Sequence, residues 1–287
     1  MKSLLEIGRT FRELRINNHI SLKQASDENV SMSQLSRFER GQADLSISKF
    51  ISALKNIQTE PGEFFSALNG HQKSETIEFM SKLSKLEYER NIEGFRSLYK
   101  EQKEKYSSNP SVYQYHLNMI LAQSFICKCD RSIPFPKEYE REIADYLFVT
   151  DEWNIYELIL IGNIYMFIDI PLLHKMGTEV LSKVTKTGAN KNLATIVLLN
   201  IFETCVYRNS KDAATYYKDN IPALISDETK LYERNLYHFL LGMYTYKWED
   251  KTRGKEIMEE AIKIYDYLGC INLAKNYRQD MTDYIIT

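Results

Sequence analysis

A chain of 287 residues with only 11 glycines and 6 prolines has little in it to break a helix. From residue 75 onward the breakers come at regular intervals. They lie at Asn109-Pro110, Pro134-Phe-Pro136, Asp169-Ile-Pro171, Gly188, Asn220-Ile-Pro222 and Gly269. Between them apolar residues recur three and four apart, the period of a helix with one buried face. The pattern predicts helices near 75–88, 91–106, 111–127, 137–148, 152–168, 171–186, 191–208, 211–219, 229–247, 251–268 and 271–286. A new helix every ~18–20 residues means antiparallel pairs repeating every ~35–40, the signature of an α-solenoid. The expected fold class is therefore all-α.

Charge and cysteine content narrow the rest. The net charge is −2, so bulk charge gives no sign of a nucleic-acid partner, and any such binding must rest on a local patch. Residues 1–70 carry nine Lys/Arg and eight Asp/Glu. Cys127, Cys129, Cys205 and Cys270 have neither zinc-ligand nor CxxC spacing and are read as reduced structural thiols. The five histidines are scattered one per element, and no phosphate loop, His-Glu-x-x-His or nucleophile elbow is present. An enzyme is thus disfavoured, and no cofactor or metal is expected. The N-terminus lacks the pattern of a signal peptide, and no window approaches the ~18 apolar residues of a membrane span. The expectation is a cytoplasmic protein with no membrane partner.

The first 68 residues read differently. Leu4, Ile7, Phe11 and Leu14 mark one face of a first helix, and Arg9, Arg12 and Arg15 step by three along another. Ser21 is a plausible N-cap for a short second helix through Ala25-Ser26. Asp27-Glu28-Asn29 forms a turn in which Asn29 tolerates a left-handed backbone. Ser31 caps a third helix, Met32 to Glu39, with Leu35 and Phe38 inward, Ser33, Gln34, Ser36 and Arg37 outward, and Gly41 as its stop. A fourth helix near 46–57 turns Phe50, Leu54 and Ile57 inward. Pro61 opens a fifth with Phe64, Phe65 and Leu68.

The stretch from Val30 to Gly41, ending Ser36-Arg-Phe-Glu-Arg-Gly41, resembles the recognition-helix signature of the Cro/repressor-type helix-turn-helix family. A small departure is Gln24-Ala25-Ser26, where the family more often has a leucine before the alanine. In that architecture the third helix enters the major groove. The resemblance implies a DNA-facing set of Arg9, Arg12, Arg15, Ser31, Ser33, Gln34, Ser36 and Arg37. Ser33, Gln34 and Arg37 can hydrogen-bond bases or phosphates, and Arg12 and Arg15 would meet the backbone. Without this neighbour, an arginine row would be read as a solvated face. Glu39 is assigned a structural role, pairing with an arginine of the same domain.

In the C-terminal part, 254–265 resembles the second helix of a tetratricopeptide repeat. The concave side of a solenoid suits an extended peptide, whose backbone groups side-chain amides can pair with. Asn163, Asn200 and Asn235 interrupt apolar helices and each needs a partner, either another helix or a ligand. Tyr156, Tyr165 and Tyr237 are candidates to line the same groove, with core packing as the alternative. The peptide-binding set is Tyr156, Asn163, Asn200, Asn235 and Tyr237.

The whole chain is similar to the Rgg/MutR regulators of the RRNPP group of quorum-sensing receptors. The shared landmarks are Leu35-Ser-Arg-Phe-Glu-Arg-Gly41, Asp145-Tyr-Leu-Phe148, Trp153, Tyr156-Glu157, Gly162-Asn163, Tyr246 and Tyr267-Leu-Gly269. The resemblance implies a helix-turn-helix domain over 1–68, a linker over 69–75 and a TPR-like repeat domain over 76–287. It implies a homodimer that binds a palindromic double-stranded DNA site and a short hydrophobic signalling peptide, with RNA polymerase left open as a further partner. Some relatives bridge the dimer through a cysteine near the DNA-binding domain; this chain has none before Cys127, so no such bridge is expected. An alternative reading keeps the DNA-binding domain and makes the repeats a scaffold for dimerisation or docking without a peptide.

Overall fold

A computed structural model describes residues 2–70, 75–130, 132–150, 153–188 and 190–286. The described residues are helices joined by short turns, with no strand among them. The chain separates into two compact units, Met1–Lys85 and Leu86–Thr287. Residues 71–74 of the expected linker lie outside the described residues.

The first unit contains α1 (Leu4–Asn17), α2 (Leu22–Ala25), α3 (Met32–Glu39), α4 (Ile47–Asn56), α5 (Pro61–Leu68) and most of α6 (Glu75–Glu89). Its first three helices each open on a serine capping box, Ser3 with Glu6, Ser21 with Gln24 and Ser31 with Gln34. Each box satisfies N–H groups that the first turn leaves without partners. Phe11, Val30, Leu35, Phe38, Leu54 and Phe64 are closed from solvent. Their rings meet edge to face, Phe11–Phe38 at 5.6 Å and Phe50–Phe64 at 4.9 Å between centroids. Ala25, in place of the larger leucine, is itself fully buried.

α1 crosses α3 backbone to backbone. A Cβ on Gly8 would stand 2.1 Å from the carbonyl oxygen of Phe38. Gly41 ends α3 with φ +67°, while the N–H groups of Gly41 and Gln42 return to the carbonyls of Phe38 and Arg37. The helix-turn-helix corner is tied by Asp27. Its carboxylate accepts from the N–H groups of Asn29 and Val30, both at 2.8 Å, and from Ser52 and Asn56 of α4. Hydrogen bonds from Ser52 and Asn56 hold its pKa well below the usual carboxylate range. Asn29 does not take the left-handed backbone expected of it, because Asp27 already collects the N–H groups of the turn. The left-handed residue sits earlier, at His19, φ 57°. Phe65 is 53% exposed rather than inward.

The second unit contains α7 (Ile92–Ser108), α8 (Tyr113–Cys129), α9 (Lys137–Val149), α10 (Ile155–Ile164), α11 (Ile170–Thr187), α12 (Lys191–Tyr207), α13 (Lys211–Asn220), α14 (Leu231–Trp248), α15 (Lys251–Tyr267) and α16 (Ile271–Ile286). A 3-10 turn, Tyr165–Phe167, follows α10. Helices pair as α7 with α8, α11 with α12 and α14 with α15, and α16 closes on α15. A continuous inner row runs α8, α10, α12, α14. Inner helices are packed on several sides, which is why α8 buries six consecutive residues, Leu117–Ala122, where a surface helix would bury one stripe. This is the TPR-like solenoid that the breaker spacing predicts.

Several landmark residues knit the α9–α10 joint. Tyr146 donates to Glu157 Oε1 at 2.7 Å, the other carboxylate oxygen accepts the Asn154 N–H, and the Trp153 indole donates to the Leu147 carbonyl at 3.1 Å.

The joint between α1 and α3 yields a stability prediction. Arg15 is 8% exposed and Glu39 6%. Arg15 donates from Nε and Nη2 to the two Glu39 oxygens at 2.6 and 2.9 Å, and from Nη1 to the Ile20 carbonyl at 2.7 Å. Glu39→Ala should cost roughly 3–5 kcal/mol, because it strands a buried guanidinium. Hydrogen exchange of the α1 and α3 amides should accelerate accordingly. The double variant Arg15→Met/Glu39→Leu should recover most of the loss. Unchanged exchange in Glu39→Ala would show that the pair does not hold the two helices.

Candidate nucleic-acid interface and ligand groove

The outer surface of α3 is built by its cap. Ser31 Oγ accepts the Gln34 N–H at 3.3 Å, and Gln34 Oε1 accepts the Ser31 N–H at 3.2 Å. The second bond fixes the Gln34 side chain and leaves its amide nitrogen free to donate outward. Ser31, Ser33, Gln34 and Arg37 are exposed, and Ser36 is half-buried. The Arg37 guanidinium makes no hydrogen bond or ion pair among the described residues, so its fork of donors is available. Arg40 instead turns back to the Ser36 carbonyl at 3.1 Å. Met32, 53% exposed at the first position of α3, is a surface residue to which the sequence gives no role.

The three arginines of α1 separate. Arg9 is exposed, and Arg12 is open to solvent with its Nε 4.0 Å from Glu39. Arg15 is the correction: it is buried in the Glu39 pair and has no surface to offer a phosphate. The reason is angular. At ~100° per residue, six residues fall about 120° short of two full turns. Steps of three therefore rotate Arg15 off the face of Arg9, while four residues place it behind Phe11 in the core. Arg15 is thus the structural partner that Glu39 was assigned.

In the second unit the five expected groove residues divide in two. Tyr156 donates to Asn118 Oδ1 at 2.8 Å, and Asn118 donates to Gln102 Oε1 at 3.1 Å, a chain joining α10, α8 and α7. Tyr237 donates to the Lys218 carbonyl at 2.8 Å. Asn235, 6% exposed, donates to the Ala261 carbonyl of α15 at 3.0 Å, and its Oδ1 is buried without a partner. All three tie helices together; Asn235 is closed off against α15, which corrects its assignment to the groove, while Tyr156 and Tyr237 stay half-buried. Asn163 and Asn200 are different. Both are half-buried, and each donates one N–H to the backbone, Asn163 to Ile159 at 2.7 Å and Asn200 to Gly162 at 3.3 Å. The second bond links α12 to α10 and sets the two asparagines side by side.

Those asparagines belong to partly open stripes on the inner row. Ile159, Asn163 and Met166 follow one another along α10 and its 3-10 turn, and Ile196, Asn200, Glu203 and Tyr207 along α12. The α12 stripe leads into a recess of about 420 Å³, walled by Tyr165, Met166, Glu203 and Tyr207 and by Asp280 and Asp283 of α16. Glu203 is half-buried at its surface yet enclosed by protein. That burial, with Asp280 nearby, pushes its pKa up to about 7. Lys128, from α8, is enclosed likewise. Desolvation pushes its pKa down, and its ammonium lies over the rings of Phe125 and Tyr165 at 4.6 and 5.6 Å. A second recess, of about 490 Å³, is walled by α9, Trp153 and α11, away from the asparagine stripes.

Among the described residues no group of His, Cys, Asp and Glu could hold a metal ion, and no helix is long and apolar enough to cross a membrane. All four cysteines are unbridged, and burial pushes the thiols of Cys127, Cys129 and Cys205 up.

Comparison with known proteins places this geometry. Residues 96–279 match the family described as the C-terminal domain of the HTH-type transcriptional regulator Rgg. The structure is similar to that of the Streptococcus dysgalactiae SHP pheromone receptor Rgg2, with a TM-score of 0.79 and 26% identity over 96% of this chain and 99% of that one. Two more distant likenesses concern the fold. Bacillus thuringiensis PlcR, in complex with the peptide PapR7 and DNA, matches with a TM-score of 0.66 and 12% identity over 95% of this chain and 99% of its own. ComR from S. thermophilus, in complex with DNA and its signalling peptide, matches with a TM-score of 0.61 and 16% identity over 97% of this chain and 99% of its own. With the family match spanning more than half of the sequence, the chain belongs to the Rgg family of helix-turn-helix transcriptional regulators.

Proposed function

We propose that this protein is a transcription regulator whose N-terminal helices, residues 1–68, read a palindromic double-stranded DNA site. Its repeat domain, residues 76–287, binds a short hydrophobic signalling peptide and forms the homodimer. The observation that carries the reading is one chain bearing both a capped, open α3 with an uncommitted Arg37 and an apolar inner row with Asn163 and Asn200 half open on it. The SHP receptor, PlcR and ComR support it by the ligands their structures name. Ser31, Ser33, Gln34, Ser36 and Arg37 address the bases and adjoining phosphates, and Arg9 and Arg12 the backbone. Such a protein works in the cytoplasm, where its promoters are. RNA polymerase is a further partner that this surface leaves open.

Dimerisation has its own support in this chain. Most apolar residues of α15 and α16 point inward, but Tyr267 is 88% exposed, Ile271 77% and Leu268 62%. A contiguous apolar patch at the end of a solenoid calls for a cover, and a second copy of the chain supplies one. The alternative reading, a repeat domain that only dimerises, shares this patch and differs in giving Asn163 and Asn200 no ligand.

With an operator selected from random duplex DNA, Arg37→Ala should lose ~1–3 kcal/mol on that operator and less on unrelated DNA. Arg12→Ala should weaken both alike and lower the salt slope by about one. Equal affinity of Arg12→Ala and wild type across salt concentrations would remove Arg12 from the interface. Calorimetry with a peptide selected on the wild-type protein should show Asn163→Ala and Asn200→Ala losing roughly 1–3 kcal/mol of binding with the helical fold intact by circular dichroism. Full affinity in both variants returns the asparagines to a structural role. Tyr267→Glu/Ile271→Glu should sediment as a monomer, whereas a stable dimer would place the interface elsewhere.

A further inference from the structure

We infer that Met32, the first residue of α3, is a specificity-determining residue that reads the C5-methyl group of a thymine in each half-site. This rests on the DNA reading above and adds an apolar contact to a surface otherwise made of hydrogen-bonding side chains. The N-cap and first three residues of α3 are Ser31, Met32, Ser33 and Gln34. The two serines are short. Gln34 is folded back on the cap, its Oε1 accepting the Ser31 N–H at 3.2 Å while its own N–H donates to Ser31 Oγ at 3.3 Å. Met32 is the long side chain of this turn that the cap does not hold. The core does not hold it either. Leu35 and Phe38 close the inner face of α3, and Leu22 and Leu45 pack against the same core, but Met32 is not among the apolar side chains packed there and stays open to solvent.

Position decides what such a side chain meets. In a helix the Cα–Cβ bonds tilt toward the N-terminus, so a side chain at the first position leans past the end of its own helix. In the helix-turn-helix arrangement that end of the third helix is the one that meets base edges. Met32 and Ser36, four residues apart, share one flank of the outer face, and Ser33 and Arg37 share its middle. Met32 precedes Arg37 by about 7.5 Å of helix, so the two address different base pairs. Chemistry then selects the base. Across the major groove the four bases present donors and acceptors, and thymine alone adds a methyl group. A thioether laid on a donor or acceptor displaces its water and returns at most a weak acceptor. Laid on the methyl, it removes two apolar surfaces from water at once. The unbranched methionine chain can follow the methyl to where the groove places it.

The test uses the full-length protein and the operator it selects from random duplex DNA. Each thymine of one half-site is replaced in turn by uracil, which removes the methyl and keeps the hydrogen-bonding edge, and affinity is read by fluorescence anisotropy. Wild type should lose about fourfold at one of these positions, the worth of one buried methyl. Met32→Ala should bind the thymine operator more weakly than wild type and lose nothing further when uracil stands at that position. Met32→Leu, which keeps an apolar side chain, should keep a uracil penalty there. A fresh selection with Met32→Gln should no longer favour thymine at that position, because an amide pairs with adenine. The ratio of thymine to uracil affinity reads the contact itself, since a variant that merely disturbed α3 would weaken both duplexes alike. A ratio in Met32→Ala equal to that of wild type at every position, or no uracil penalty at any thymine in wild type, would overturn the assignment and leave the DNA reading standing. Failure of wild type to select any operator would overturn both.

Discussion

A charge buried in a protein must be paired, and Arg15 shows how that requirement shapes the N-terminal unit. Its guanidinium lies where α1 crosses α3, and Glu39 meets it with both carboxylate oxygens. The third bond, to the Ile20 carbonyl, reaches the segment that leads into α2. One side chain thus fixes the position of α3 relative to α1 and to the chain entering the turn. Gly8 permits the approach by having no Cβ to strike the Phe38 carbonyl. The aromatic contacts fill the space behind this joint, but apolar packing alone tolerates small rotations of a helix. A bidentate ion pair does not, because both of its hydrogen bonds must remain in line. The orientation of the outer face of α3 follows from that pair.

The same requirement, only partly met, distinguishes the repeat unit. Asn118 is satisfied twice over, by Gln102 and Tyr156, and simply holds three helices in place. Asn163 and Asn200 spend one N–H each on nearby carbonyls and keep the rest of the amide for another partner. Glu203 and Lys128 have opposite charges in one enclosed region without an ion pair between them. Polar groups that fold the protein are completed within it. Those left incomplete beside a recess are where binding free energy is available, since a ligand gains from every partner it supplies.

Much of this was legible in the sequence. The helices are set by breaker spacing and by serine caps, both local signals, so the order of elements and the recognition helix from Met32 to Glu39 emerge without tertiary information. Individual roles were harder, because they depend on which way a side chain turns once the helices have packed. Arg15 shared a three-residue step with Arg9 and Arg12, yet two such steps carry it into the core. Asn163, Asn200 and Asn235 looked alike in their apolar surroundings. Only the packing of α14 on α15 shows that Asn235 faces a neighbouring helix and not the groove. Asn29 suited a left-handed turn by residue type, but Asp27, two positions earlier, made that conformation unnecessary.

Glu203 illustrates why such residues escape a reading of periodicity. On α12 it sits between Phe202 and Thr204, both buried, and in sequence it looks like the polar side of an amphipathic helix. On a surface helix that would mean full hydration and an ordinary carboxylate. On the inner row of a solenoid even the polar side of a helix faces protein across a concave gap, here the turn after α10 and the last helix, α16. Water still touches the group, but the surrounding protein has replaced most of the solvent that would stabilise its charge. A charged residue on the inner row is therefore neither core nor surface. It is held in an environment that disfavours its ionised form, as a carboxylate on an outer helix face is not.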